Sequence, residues 1–257
     1  LERAFEYGIA FDASAVPGFG SEIHSDLFLQ PDTGTLCVLP WRPDHGRVVR
    51  MFCNILNPDG TPFASDTRRV LQNAVDAAEA MGVSFSFGSE MEFYLFQRDE
   101  NGEATRVPYD RAGYMDIAPE DKGENIRREI GLTLSQMGIR PECSHHEQGP
   151  GQNEIDFRYS DPMAAADNAL TFRAVVNTIA VQSGLAADFS PKPLPGQPGN
   201  GMHINISARS RDGRDVMPQV IAGILAHIAE MTVFFNTTES SYQRFGSSKA
   251  QIGRAHV

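Results

Sequence analysis

The stretch Glu142-Cys143-Ser144-His145-His146-Glu147-Gln148-Gly149-Pro150-Gly151-Gln152-Asn153-Glu154-Ile155-Asp156-Phe157-Arg158-Tyr159 packs Glu142, His145, His146, Glu147 and Glu154 into one short span. A Gly-Pro-Gly turn at Gly149–Gly151 separates Glu147 from Glu154, so the chain can double back and bring both carboxylates to one place. From Glu154 to Tyr159 polar and apolar residues alternate, the pattern of a strand with Glu154 on its polar face. Oxygen-rich ligand sets of this kind suit hard cations such as Mg²⁺ or Mn²⁺. A Gly-rich hairpin leading into a strand with a charged solvent face fits the same residues without an ion.

The surrounding chain has 257 residues, enough for one large domain or for a small domain joined to a larger one. A net charge of −11 argues against nucleic acid or an anionic membrane surface as partner. Cys37, Cys53 and Cys143 are scattered and form no CxxC pair, which points to a reduced, cytoplasmic setting rather than a disulfide scaffold. No apolar run is expected to reach membrane-spanning length, and no signal peptide is evident. The chain begins at Leu1 rather than Met, so its natural N-terminus is expected to lie upstream.

Upstream of the ligand-rich stretch, residues 1–50 read as short strands broken by turns, with Asp26–Leu29 and Thr35–Leu39 forming a hairpin about Pro-Asp-Thr-Gly. Arg47–Leu56 reads as one further strand. Ser65 or Asp66 then caps a helix running to Met81 and stopped by Gly82. Val83–Phe87 and Met91–Phe96 form one long strand, or one interrupted at Gly88. Residues 101–121 read as a polar surface loop, followed by a helix from Glu120 to Met137. Downstream, Asp161-Pro162 opens a helix to Ser183, Ala186–Phe189 and Gly201–Ala208 are strands, and a last helix covers Val216–Phe235. Strands come first, then helices alternating with strands. That order predicts a small β domain and a larger α/β or α+β domain.

Two more features carry chemistry. Glu90 and Glu92 stand at i and i+2, so on a strand both carboxylates project from one face, with Met91 and Phe93 on the other. Such like charges repel unless a cation or solvent separates them, and alone the pair also fits a solvated sheet face. His203 is the polar-face member of an otherwise apolar strand, and by itself fits a hydrogen-bonded histidine as well as a ligand. Together, Glu90, Glu92, Glu147, Glu154 and His203 fall where a sheet could converge them to hold two cations beside a nucleotide phosphate. No Walker GxxxxGK[ST] segment is present, so phosphate would not be bound through a P-loop.

Four segments in this order resemble successive motifs of the bacterial glutamine synthetase family: Gly88–Phe93, His145–Glu147 with Pro150–Glu154, Gly201–Asn205, and Asn236–Arg244. The resemblance runs from about residue 8 to 250. It implies an α+β fold: a β-grasp-like domain over residues 1–60, and a catalytic domain over 61–251 with a curved, mainly antiparallel sheet forming a partial barrel. It implies ATP-dependent ligation of ammonium to the γ-carboxylate of L-glutamate through a γ-glutamyl phosphate. Glu92, Glu147 and Glu154 would hold one Mg²⁺ or Mn²⁺, and Glu90 with His203 the second, beside the ATP phosphates. Glu142, Tyr159 and Ser207 match nucleotide-pocket positions. The Gly199–Gly201 backbone and Arg244 match glutamate-binding positions. Asp12 matches a residue lent to a neighbouring subunit's site, where ammonium is bound and deprotonated, and Tyr114 matches an ammonium-side residue. A homo-oligomer with sites between subunits is implied in the same way.

The resemblance breaks at three places. Lys249 stands where the family places a flap glutamate that helps take the ammonium proton, and a lysine there would repel ammonium. Ala15 stands where the family commonly has a serine. Both departures open the alternative of a γ-glutamyl ligase that uses an organic amine or polyamine. A catalytically silent, structural or regulatory homologue is the third reading, against which stands the retained cluster of like charges. Residues 252–257, Ile-Gly-Arg-Ala-His-Val, match nothing in the family and resemble a translated sequencing adapter, so they are expected to be a non-native tail. Arg254 and His256 are accordingly not candidate ligands, and the chain as written is expected to be inactive or nearly so.

Overall fold

A computed structural model describes residues 2–20, 25–42 and 46–245. Packing divides the chain into two units, one ending at Gly82 and the other beginning at Val83.

The first unit holds helix α1 (Glu2–Tyr7) and strands β1 (Ile9–Asp12), β2 (Asp26–Pro31), β3 (Cys37–Val38), β4 (Val49–Arg50) and β5 (Cys53–Leu56), then helix α2 (Thr67–Ala80). Strands β1, β2 and β5 make an antiparallel sheet with β2 in the centre, and β3 pairs separately with β4. The expected hairpin between Asp26–Leu29 and Thr35–Leu39 does not form. Asp32 donates its own amide to the Phe52 carbonyl, which extends the β2–β5 pairing by one residue, and its carboxylate accepts the Gly34 amide, opening the turn that leads to β3 and its partner β4. The single strand expected over Arg47–Leu56 is split into β4 and β5. Asp66 explains how α2 is anchored: one carboxylate oxygen caps the Arg68 amide at 3.0 Å, and the other accepts the Ile55 amide of β5 at 3.0 Å.

The second unit is built around β6 (Val83–Arg98), a continuous strand of 16 residues. It continues through β7 (Ala104–Pro108), α3 (Glu124–Gln136), β8 (Pro141–His146), β9 (Gln152–Phe157), α4 (Pro162–Gln182), β10 (Leu185–Asp188), β11 (Met202–Ser210) and α5 (Met217–Phe235). Strands β11 and β10 pair along one side of β6, β9 and β7 along the other, and β8 adds outside β9, all antiparallel. Gly88 does not interrupt β6. It leaves room for the Phe157 carbonyl and the Tyr159 ring, each 3.2 Å from where a Cβ would sit.

Alternation along β6 and β9 sorts the side chains. Met91, Phe93, Leu95, Ile155 and Phe157 are buried on one face against α4, where Phe172 meets the rings of Phe93 and Phe157 edge-on at 5.9 and 5.1 Å. Ile130 and Leu134 of α3 and Val175, Val176 and Ile179 of α4 complete this core. The other face carries Glu90, Glu92, Glu154 and Asp156. It is not a solvent face: Glu92 and Glu154 are only 2% and 7% exposed, which removes the solvated-strand alternative for both.

The segment expected to be a surface loop, residues 101–121, contains β7 and the buried Asp110, Ala112 and Asp121. Helix α5 is 19 residues long and apolar enough to cross a membrane by length and composition, where the sequence had suggested no such run. None of its residues is buried among the described residues.

Candidate active site

Strand register puts the acidic side chains into two rows across the sheet. His145 of β8 lies opposite Glu154 of β9, which lies opposite Glu92 of β6. One pleat along, Asp156 lies opposite Glu90, which lies opposite His203 of β11. Because side chains two apart on a strand share a face, the rows stand side by side.

Within the first row, His145 Nε2 reaches Glu147 Oε1 at 2.9 Å and Glu154 Oε2 at 3.3 Å. These hydrogen bonds raise the His145 pKa to about 10, so the ring is an imidazolium at neutral pH. Glu92 makes no ion pair of that kind. Burial, reinforced by Glu154 and Glu147 and opposed by the Gly201 backbone amide and the Arg244 charge, pushes its carboxyl up to about 8. Gln152 donates to Glu92 Oε2 at 2.7 Å, but Glu92 Oε1 is buried with no hydrogen-bond partner among the described residues. Glu154 is raised mainly by burial. At Glu147 burial is outweighed by hydrogen bonds, that from His145 foremost, and the carboxyl is lowered.

Within the second row, His203 Nδ1 lies 3.2 Å from Glu90 Oε2, and Asn205 donates to Glu90 Oε1 at 2.7 Å. Glu90, Glu154 and His203 place one donor atom each within 4.8 Å of one another, and so do His145, Glu147 and Glu154. Gly201 closes the gap between the rows: a Cβ there would stand 2.9 Å from Glu92 Oε1 and 3.0 Å from His203 Nε2. Orphaned oxygen, converging carboxylates and a cradle that only glycine leaves open all fit divalent cations of the Mg²⁺ or Mn²⁺ kind.

The neighbouring segment is tied to this cluster. Gln152 Nε2 also donates to the Gly199 carbonyl at 3.0 Å, and Arg244 donates to the Asn200 carbonyl at 2.7 Å and to Asn236 Oδ1 at 3.2 Å. Arg244 Nε is buried without a partner among the described residues. Gly199 permits this packing, since a Cβ would fall 2.5 Å from the Pro191 carbonyl. The Tyr114 ring stands edge-on to His145 at 5.4 Å, so that weaker candidate does reach the cluster.

Other candidates lie apart. Tyr159 packs by Gly88, and Ser207 pairs with Ser86, so both border the start of β6. Glu142 is exposed at the bulged beginning of β8. Asp12 belongs to the first unit, is fully exposed, and is held below the usual carboxylate range by hydrogen bonds from the Ser14 hydroxyl and amide. Lys249 and the 252–257 tail lie outside the described residues.

Sequence reading missed three participants. Asp156 and Gln152 share the polar face of Glu154 at i±2, a signal already present in the alternation. Asp110 gave no local signal. It accepts His146 Nε2 at 2.8 Å and the amides of Gly151 and Lys122 at 3.0 and 3.1 Å, bracing the turn from behind.

Comparison with known families adds to this geometry. Residues 64–252 match the model for the glutamine synthetase catalytic domain, and residues 1–58 the model for the glutamine synthetase β-grasp domain. Glutamine synthetases of Clostridium saccharobutylicum and Methanosarcina mazei are each 44% identical over 95% of this chain, which spans 58% and 57% of their lengths. Among solved structures, a GmaS/ADP complex superposes with a TM-score of 0.85 at 26% identity, covering 96% of this chain and 59% of that one. A Plasmodium falciparum glutamine synthetase superposes at 0.84 and 23% identity, covering 95% and 55%, and shares the fold. The fold is thus α+β, a β-grasp domain followed by a catalytic domain with an antiparallel sheet.

Proposed function

The chain belongs to the glutamine synthetase family, and on that premise we propose that it carries the cation and substrate groups of an ATP-dependent ligase. The reaction joins ammonium to the γ-carboxylate of L-glutamate, giving glutamine, ADP and phosphate. The observation that carries this reading is the buried Glu92 carboxylate, with one oxygen unsatisfied between Glu154 and the Gly201 cradle.

Glu92, Glu147 and Glu154 would hold one divalent cation, and Glu90 with His203 a second. Bound there, such ions neutralise phosphate charge and favour phosphoryl transfer. The chain's own groups set the stage. Gln152 orients Glu92, Asn205 orients Glu90, and imidazolium His145 fixes Glu147 and Glu154. Arg244 and the Gly199–Gly201 backbone would receive glutamate, with Glu142, Tyr159 and Ser207 around the nucleotide. A γ-carboxylate oxygen of glutamate bonds to the γ-phosphorus of ATP as ADP leaves. Ammonia nitrogen then bonds to the acyl carbon, phosphate leaves, and a carboxylate takes the surplus proton. Asp12, held anionic by Ser14, suits attraction of the ammonium cation, supplied from a neighbouring subunit of a homo-oligomer. Tyr114 would border that side.

A second reading rests on Lys249: a cation in place of the flap glutamate disfavours ammonium and favours an organic amine. The test is phosphate release from ATP with glutamate, Mg²⁺, and either ammonium or a panel of small amines and polyamines. It is run on a full-length protein containing this sequence. Release with ammonium supports glutamine synthesis, and release only with an organic amine supports the second reading. No release with any amine, despite cation and ATP binding, overturns both and leaves a silent homologue.

A further inference from the structure

Cys143, His145 and Asp156 form a donor set that neither cation position above employs. Cys143 and His145 are two apart on β8, on the face shared with Asp156 of the adjacent β9. The Cys143 thiol donates to Asp156 Oδ2 at 2.6 Å, and one donor atom from each of the three residues lies within 4.8 Å of the others. Asp156 Oδ1 is buried and has no hydrogen-bond partner among the described residues. Cys143 itself is exposed, so an ion could enter from its side.

The chemistry of this set differs from that of its neighbour. Mg²⁺ and Mn²⁺ select oxygen, and a thiolate is a poor ligand for them. Zn²⁺ and Co²⁺ accept sulfur, imidazole nitrogen and carboxylate oxygen together in tetrahedral geometry, with a fourth position for water. We propose that Cys143, His145 and Asp156 bind a zinc-class divalent cation beside the carboxylate cluster. The inference goes beyond the ligase reading and does not depend on it. Binding would release one ring proton of His145 and the Cys143 thiol proton, and occupancy would reach the carboxylate cluster through His145, the ring hydrogen-bonded to Glu147 and Glu154.

Cobalt is the probe, added to the chain in excess Mg²⁺ so that the oxygen-rich positions are already served. The expected result is one Co²⁺ per chain, with a near-ultraviolet sulfur-to-cobalt charge-transfer band that Zn²⁺ abolishes by displacement. C143S removes the band and lowers Zn²⁺ affinity at least about ten-fold. D156N keeps the band but lowers affinity about ten-fold, which separates loss of the thiolate from loss of the site. E92Q, which removes a hard-cation ligand, leaves the band in place. A wild-type chain without the band, a band that survives C143S, or Zn²⁺ affinity unchanged by D156N would each overturn the proposal. Failure of Mg²⁺ binding in the same titration would count against the ligase reading alone.

Discussion

His145 and His146 are consecutive on β8, yet they enter two opposite kinds of buried polar cluster. His146 is fully buried, with Nδ1 2.7 Å from the Glu147 carbonyl and Nε2 2.8 Å from Asp110 Oδ1. Both partners are acceptors, so the ring donates twice and is an imidazolium. Burial works against that charge, and the Asp110 carboxylate outweighs burial. Asp121, Arg127 and Asn153 extend the cluster through a bidentate pair and a 2.6 Å hydrogen bond from Arg127 to Asn153. Positive and negative charges alternate there. Around His145, by contrast, Glu92, Glu147 and Glu154 outnumber the single cation; each cluster leaves one buried atom without a partner among the described residues, Glu92 Oε1 here and Arg127 Nε there, so the difference lies in charge balance. The closed cluster balances its charges within the fold; the open one leaves an excess of carboxylates.

The largest expected effect comes from opening the closed cluster. D110A or H146A leaves an unmatched buried charge and should destabilise the chain by about 3–5 kcal/mol, read from urea unfolding. A loss under about 1 kcal/mol would show that the two clusters do not differ in the way described.

Next is pH. Glu92 rises from its ordinary 4.5 to about 8, so between those values the folded state binds more protons than the unfolded chain. Its contribution is complete below pH 4.5 and is lost as pH rises through 8. His145 has the same sign, present below 6.5 and lost toward 10. Metal-free protein should therefore lose several kcal/mol between about pH 5 and 9, since each tenfold change in proton affinity is worth about 1.36 kcal/mol and the two groups act with the same sign. Mg²⁺ or Mn²⁺ should reverse the slope, since ionised carboxylates bind them better, adding about 2.7 kcal/mol at a hundred-fold excess over Kd. Thermal melts across that range with and without cation would decide it. A flat metal-free profile would mean Glu92 is not strained by its surroundings.

A smaller effect, of opposite sign to the first, is expected from E92Q. The amide keeps the Gln152 contact and removes the charge, so metal-free stability should rise by about 1–2 kcal/mol at about pH 9 and by less at about pH 6. Cation-dependent stabilisation should disappear at both. If E92Q instead destabilised at the higher pH, the open cluster would be structural after all.

What could be read in advance follows the same division. The open cluster came from several signals taken together: Glu90 with Glu92 at i and i+2, Glu147 and Glu154 either side of a Gly-Pro-Gly turn, and four motifs in order; the Glu90–Glu92 pair alone also fitted a solvated face. Asp156 was overlooked although the same alternation contains it. The closed cluster was not legible. Asp110 and Asp121 lie in a polar segment, and their partners Arg127, His146 and Asn153 come from α3, β8 and β9, so nothing local marks them as buried. The first unit failed for a related reason. The turn residues alone suggested a hairpin, whereas β2 pairs with the distant β1 and β5, a pairing that the Asp32–Phe52 bond extends. Capping signals, being local, held: Asp66 and Asp161 each accept the expected amide at the head of α2 and α4.

The smallest stability effect should come from G201A, and it sharpens the comparison most. The added Cβ would meet Glu92 Oε1 at 2.9 Å and His203 Nε2 at 3.0 Å, both ends of side chains that can swing. The fold should lose only about 1 kcal/mol, as for mild overpacking. The swing, however, is into the space between the two rows, where one cation would sit against Glu92 and the second against His203. Cation-dependent stabilisation should therefore fall far more than stability itself. G149A is the counterpart beside the closed side of the turn, where a Cβ would overlap the Tyr94 hydroxyl, itself bonded to the Pro198 carbonyl at 2.7 Å. There the fold should suffer first, and cation binding only in proportion to it. Equal ratios of cation loss to stability loss in the two variants would show that Gly201 is a packing residue, not the gap through which the open cluster is completed.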